Sequence, residues 1–185
     1  MKLSIRITGV GGQGAITAGH LLGSAAVLYD HKEAVVTEGY SPYITGGWSR
    51  ADVVISDAPI DYPMISKLDG LVTMYQDGLD SNLGLLKQGS VILAEKRLVD
   101  PSRTKGREVI LVPATDAAES LGKKMLTNIV LLGALEAALP LVSMDSLKTA
   151  VTTRFPKAAE LNVRALDLGY NLGRHMPKEE GGIPA

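Results

Sequence analysis

Leu3-Ser4-Ile5-Arg6-Ile7-Thr8-Gly9-Val10-Gly11-Gly12-Gln13-Gly14 is the stretch on which the fold turns. Residues 3–8 alternate apolar and polar, the period of a strand with one buried face. Glycines at 9, 11, 12 and 14 follow at once. Residues 15–29 then place Ala18, Leu21, Leu22, Ala25, Ala26 and Tyr29 on one side of a helix, while Gly19 and Gly23 are small enough to let it lie close to a sheet. Ala34-Val35-Val36-Thr37 reads as a second, short strand. Strand, glycine turn, helix and strand make a βαβ unit, which closes right-handed onto a parallel sheet.

The same pattern continues outward. Strands are expected at 51–56, 69–75, 90–94 and 109–112, with a short helix at 77–86 ending near Gly89. The last third reads as helices at 116–122, 126–139, 144–153 and 157–172, with Thr127 or Asn128, Ser143 and Pro156 where helices start. Residues 38–50 are rich in turn formers, carry the only Trp and are expected to form no regular buried element. The expected fold is a three-layer α/β/α Rossmann-like domain with a mainly parallel sheet and a helical C-terminal third. One domain spans 3–172, and 173–185 is a frayed tail.

Composition narrows the function. The chain has 185 residues, 45% of them apolar and 4% aromatic, so its core is aliphatic, as in helix-covered parallel sheets. A formal net charge of −1 gives no global field for nucleic acid or a membrane surface. Lys96, Arg97, Arg103, Lys105 and Arg107 read as a solvated loop surface. There is no cysteine, which excludes disulfides, a thiol nucleophile and a cysteine-ligated cluster on this sequence. His20, His31 and His175 are too far apart in sequence for a metal-ligand spacing. Arg6 and Gly9 interrupt any signal-peptide core, and a cytoplasmic protein is expected. The apolar run 125–142 contains Thr127, Asn128, Glu136 and Pro140, so it reads as a buried or interface helix, with self-association of the isolated chain as a consequence.

A loop of Gly9, Gly11, Gly12 and Gly14 at the start of a helix has a physical use. Glycine permits positive φ and lets backbone amides approach a ligand, and the helix adds free N–H groups and a positive dipole end. The segment also fits G-x-G-x-x-G between a strand and a helix, and Glu38 stands near the end of the second strand, where a ribose-binding acid belongs. A free-standing NAD-binding protein is therefore an alternative. Another is a tight turn that serves packing alone.

Three segments taken in order resemble one family: Ile7-Thr8-Gly9-Val10-Gly11-Gly12-Gln13-Gly14, then 46–57 beginning Gly46-Gly47-Trp48-Ser49-Arg50, then Asn128-Ile129-Val130-Leu131-Leu132-Gly133-Ala134. They resemble the gamma subunit, or gamma domain, of pyruvate, 2-oxoglutarate and other 2-oxoacid:ferredoxin oxidoreductases. Indolepyruvate oxidoreductase beta subunits share similar glycine segments and stay inside this reading. The sequence departs from the family at Tyr43 and Thr45, where an acidic residue and an Arg are usual.

The resemblance implies a divided enzyme that turns a 2-oxoacid into acyl-CoA and CO2. Alpha and beta chains would carry thiamine diphosphate and magnesium. Iron–sulfur clusters on a beta or delta chain would pass electrons to ferredoxin. This chain would have no catalytic residue and no metal of its own. It would help receive coenzyme A through Gly11, Gly12, Gln13, Gly14 and Asn128, where Asn128 has a helix N-cap as its alternative role. Tyr43, Gly46, Gly47, Trp48 and Arg50 would form an interface loop, to which Tyr40 adds another aromatic, unless Trp48 folds back over the sheet. A pure assembly protein with a degenerate pocket is the remaining alternative.

Overall fold

The computed structural model describes residues 1–42 and 47–180. The elements are β1 (Lys2–Val10), α1 (Ala15–Ser24), continued by a π-helical turn (Ala25–Tyr29), β2 (Glu33–Tyr40), β3 (Trp48–Ser56), β4 (Leu68–Thr73), α2 (Gln76–Asp80), β5 (Leu86–Glu95), β6 (Glu108–Val112), α3 (Ala114–Ser120), α4 (Thr127–Ala138), α5 (Met144–Arg154), α6 (Ala159–His175) and β7 (Lys178–Glu180). They build one 7-stranded sheet in the order β2-β3-β1-β4-β5-β6-β7. β1, β4, β5 and β6 pair in parallel, and β3 and β7 run the other way. The α/β class, the mainly parallel sheet and the helical last third are as the sequence predicts.

The βαβ expectation needs one correction. β2 runs in the same direction as β1 but does not touch it, because β3 is inserted antiparallel between them. The turn-rich stretch at 38–50 is thus shorter than expected: its flanks belong to a hairpin that extends β2 to Tyr40 and starts β3 at Trp48. Period-2 alternation locates each strand but says nothing of which strand lies beside it.

Two further boundaries move. The helix expected at 77–86 stops at Asp80, and after a 3₁₀ turn at Leu83–Leu85 the chain enters β5 at Leu86, with Gly89 inside that strand. The tail is ordered further than expected. α6 runs to His175, and Lys178–Glu180 adds an antiparallel strand to β6, where Lys178 pairs with Glu108 at 3.0 Å.

Alternation along β1 separates the faces. Ile5 and Ile7 enter the larger core with Val53, Ile55, Val72, Leu93 and Val112, under α1 and α3–α6. Leu68, Leu71, Ile92, Val109 and Leu111 face a smaller core closed by Leu79, Leu83 and Val99, so the second layer is thin. Between these cores Arg6 turns to the second face. Its Nε and Nη2 donate to Asp52 at 2.6 Å each, and Nη1 donates to Asn82 Oδ1 at 2.7 Å. Arg6 and Asp52 are buried; their bidentate pair links β1 to β3, and Asn82 adds the turn after α2.

The apolar run at 125–142 becomes α4. Its Ile129, Val130, Leu131, Leu132, Ala134 and Leu135 are all buried within the chain, because α6 covers the face that the sheet leaves free. This removes α4 itself as a basis for self-association; at the start of the run Met125 stays exposed. A Cβ at Gly133 would strike the Leu166 carbonyl, and one at Gly169 the Val130 carbonyl, so both glycines permit the close α4–α6 crossing. Ser143 caps α5 as predicted, accepting from the Ser146 N–H at 3.1 Å. Among the described residues, no helix is long and apolar enough to cross a membrane.

Candidate functional site

The glycine loop sits at the carboxyl end of β1, between β3 and β4. Gly12 and Gly14 take φ of 86° and 75°, left-handed values that carry the chain from strand to helix. Side chains and backbone from other elements fix the rest of the turn. Gln13 Oε1 accepts from the Val10 N–H at 2.6 Å, and Gln13 Nε2 donates to the Met74 carbonyl at 3.2 Å. The Gln13 N–H donates to the Val10 carbonyl at 3.0 Å. Gly11 donates its N–H to the Gly47 carbonyl at 2.8 Å. Asn128 Nδ2, from α4, donates to the Gly14 carbonyl at 3.1 Å.

These bonds redistribute the expected roles. The amide of Gly11 is spent on Gly47, and the Gln13 side chain ties the loop to β4. Asn128 is buried and is the second residue of α4, inside the helix rather than its N-cap. It clamps the loop, and a Cβ at Gly14 would lie 2.5 Å from its Nδ2. The amides of Gly12, Gly14 and the first helical residues, Ala15 to Thr17, have no hydrogen-bond partner among the described residues. Nothing lies within 4 Å of a Cβ built on Gly12.

Gly12 stands at the mouth of two clefts. One, of about 440 Å³, runs toward the β2–β3 hairpin past Thr17, Tyr40, Gly47 and Trp48. The other, of about 470 Å³, lies outside the carboxyl ends of β4 and β5 and is lined by Gln13, Met74, Leu98, Lys124 and Met125. A crevice beside β1, where the chain's connections diverge to the two sides of the sheet, is the usual ligand position in open α/β sheets.

The hairpin carries the expected interface residues. Trp48 is 38% exposed, Tyr40 is 60% exposed, and the Arg50 guanidinium lies 5.5 Å from the Trp48 ring centroid. Tyr43 and Gly46 lie outside the described residues. Glu38, the expected ribose acid, is engaged otherwise: it accepts from the Tyr40 hydroxyl and lies 2.5 Å from His20 Nε2. Those contacts, the Tyr40 bond foremost, lower its pKa. With β3 between β2 and the glycine loop, the geometry does not bring this carboxylate to the loop as the NAD reading requires.

Sequence reasoning missed the Arg6–Asp52–Asn82 network. Arg6 was visible only as a polar position in an alternating strand, and its partners are distant in sequence. Among the described residues, no group of three or more His, Cys, Asp or Glu side chains is arranged to hold a metal ion.

Known structures share this fold. The gamma subunit of a keto/oxoacid ferredoxin oxidoreductase from Geobacter sulfurreducens superposes with a TM-score of 0.82 at 32% identity, over 97% of this chain and 99% of that one. The 2-oxoglutarate:ferredoxin oxidoreductase from Magnetococcus marinus, solved with 2-oxoglutarate, coenzyme A and succinyl-CoA bound, shares the fold at a TM-score of 0.81 and 21% identity. It covers all of this chain (100%) and 33% of its own. The 2-oxoglutarate synthase subunit KorC of Methanocaldococcus jannaschii is 40% identical over 180 residues, 95% of this chain and 96% of the relative. The fold is that of a gamma-type subunit of the oxoacid oxidoreductases. The chain belongs to the pyruvate ferredoxin/flavodoxin oxidoreductase family, whose model matches residues 4–172.

Proposed function

We propose that this chain is the gamma subunit of a cytoplasmic 2-oxoglutarate:ferredoxin oxidoreductase and that its glycine loop helps receive coenzyme A. The 2-oxoglutarate assignment rests on relatives named 2-oxoglutarate synthase subunit KorC, of which the Methanocaldococcus protein is 40% identical and an Archaeoglobus fulgidus protein 32%. In this reading residues 3–172 act as one domain. The 2-oxoacid loses CO2, its acyl group joins the coenzyme A sulfur, the thiol proton is released, and two electrons leave for ferredoxin. Alpha, beta and, where present, delta chains hold thiamine diphosphate, magnesium and the iron–sulfur clusters, consistent with a sequence that has no cysteine.

One observation carries the coenzyme A assignment. Every fixed point of the loop is bonded to the protein, while Gly12 and the helix-start amides are open toward two clefts. Such amides suit the phosphates of the coenzyme or the carbonyls of its pantetheine arm. Here Gln13 and Asn128 act by holding the loop in shape, Trp48, Arg50 and Gly47 face the sister chains, and Tyr43 and Gly46 are assigned to the same interface from the sequence resemblance.

Calorimetry on the assembled complex tests this reading. Gly12→Val puts a branched side chain at positive φ and over the open amides. It should raise the Kd for coenzyme A at least about tenfold, the equivalent of one lost charge-assisted contact, with sister chains still copurifying. An unchanged Kd removes the proposal.

A further inference from the structure

We propose that a basic corner formed by Lys123, Lys124, Lys157 and Arg164 binds the phosphate-bearing end of coenzyme A and so fixes its direction on this chain; this rests on the coenzyme A reading above. Several cations elsewhere are neutralised locally: Arg6 by Asp52, Lys87 by Asp69, Arg97 by Asp116 and Glu119, Arg103 by Asp80, Lys148 by Asp167. The cations of the corner are exposed and have no ion-pair partner among the described residues. On a chain of net charge −1, this leaves a local excess of positive charge.

The corner is also shaped. Lys123, Lys157 and Arg164 line a cleft of about 530 Å³ between the turn before α4 and the start of α6, with Glu160 the one acid among the lining residues. Lys124, the next residue in the chain, lines the cleft of about 470 Å³ onto which Gly12 opens. Consecutive residues, Lys123 and Lys124, thus line the two clefts. The unpaired cations lie at one end, since Arg97, which also lines the second cleft, is paired with Asp116 and Glu119. At the other, Met74, Leu98 and Met125 lead to Gly12, and Met125 and Leu98 are 79% and 47% exposed.

Coenzyme A has the same polarity. One end is a nucleotide bearing a diphosphate and a separate 3′-phosphate, and the other is an uncharged pantetheine arm that ends in the thiol. Lysine and arginine fit the phosphates, while the thioether-rich cleft fits the arm and leaves the Gly12 amide for one of its carbonyls. The thiol then emerges at the hairpin side of the loop, away from the basic corner.

Calorimetry on the assembled complex, with coenzyme A, dephospho-coenzyme A and pantetheine as titrants, decides the point. Lys157→Ala with Arg164→Ala should raise the Kd for coenzyme A about tenfold or more, reduce its dependence on salt and leave pantetheine unchanged. Lys157→Glu with Arg164→Glu should enlarge the loss, with a smaller effect on dephospho-coenzyme A. Equal affinity of the wild-type and variant complexes for coenzyme A overturns the basic corner and leaves the Gly12 reading standing. Failure of the wild-type complex to bind any of the titrants overturns both. Loss of sister chains from the alanine variant makes the corner a subunit contact and also overturns the inference.

Discussion

Gly12 and Gly169 are the same residue used for opposite ends. At Gly169, on α6, the place of a Cβ is occupied by the Val130 backbone of α4. At Gly12 that place is empty space. The α4–α6 crossing needs glycine because two helices must touch, whereas the loop needs it because the backbone turns through positive φ and a ligand must come close. A methyl group should therefore cost stability at the crossing and binding at the loop.

The largest expected effect tests the crossing. Gly169→Ala forces the helices apart or strains both backbones, and should lower unfolding free energy by about 3 kcal/mol, the upper part of the usual overpacking range. Urea denaturation of the chain at neutral pH measures it. A loss below about 1 kcal/mol would show that α6 can slide away freely and would break the contrast with Gly12.

Next in size is a titration at the far end of α4. Burial pushes the Glu136 carboxyl up from its ordinary 4.5 to about 7, against the opposing hydrogen bonds from the Val142 and Leu141 N–H groups. The folded chain thus holds a proton that the unfolded chain has released. The contribution is fully present below about pH 4.5 and is lost as pH rises through about 7. Stability should fall by roughly 2–3 kcal/mol between pH 5 and 7.5, and Glu136→Gln should flatten that slope. Denaturation midpoints across this range check it. An equal slope in the variant would assign the titration to other groups.

What the sequence made legible follows the range of each signal. Strand period, the glycine turn and the capping of α5 by Ser143 are local and were readable. The insertion of β3 between β1 and β2 was not, because pairing of Arg6 with Asp52 and Ile7 with Ala51 depends on which strands meet, not on either strand's own pattern. The site divides likewise. Glycines at 9–14 announced an approachable loop, but the structure was needed to see that Gly11 and Gln13 are committed to Gly47, Val10 and Met74. Asn128 was conspicuous without revealing its partner, since Gly14 lies on the far side of the chain in sequence.

Asn128 supplies the smallest and sharpest comparison. It belongs to the helix of the tight crossing, yet its amide serves the open loop. Asn128→Ala deletes one bond to the Gly14 carbonyl and leaves room beside it, so the stability loss should be about 1 kcal/mol. Coenzyme A affinity should fall by less than in Gly12→Val, because the amides at 12 and 14 would still be present but no longer held in one orientation. Calorimetry on the two complexes side by side gives the ranking. If Asn128→Ala removed binding more completely than Gly12→Val, its amide would have to touch the coenzyme itself. The division between a side chain that shapes the loop and a glycine that exposes it would then fail.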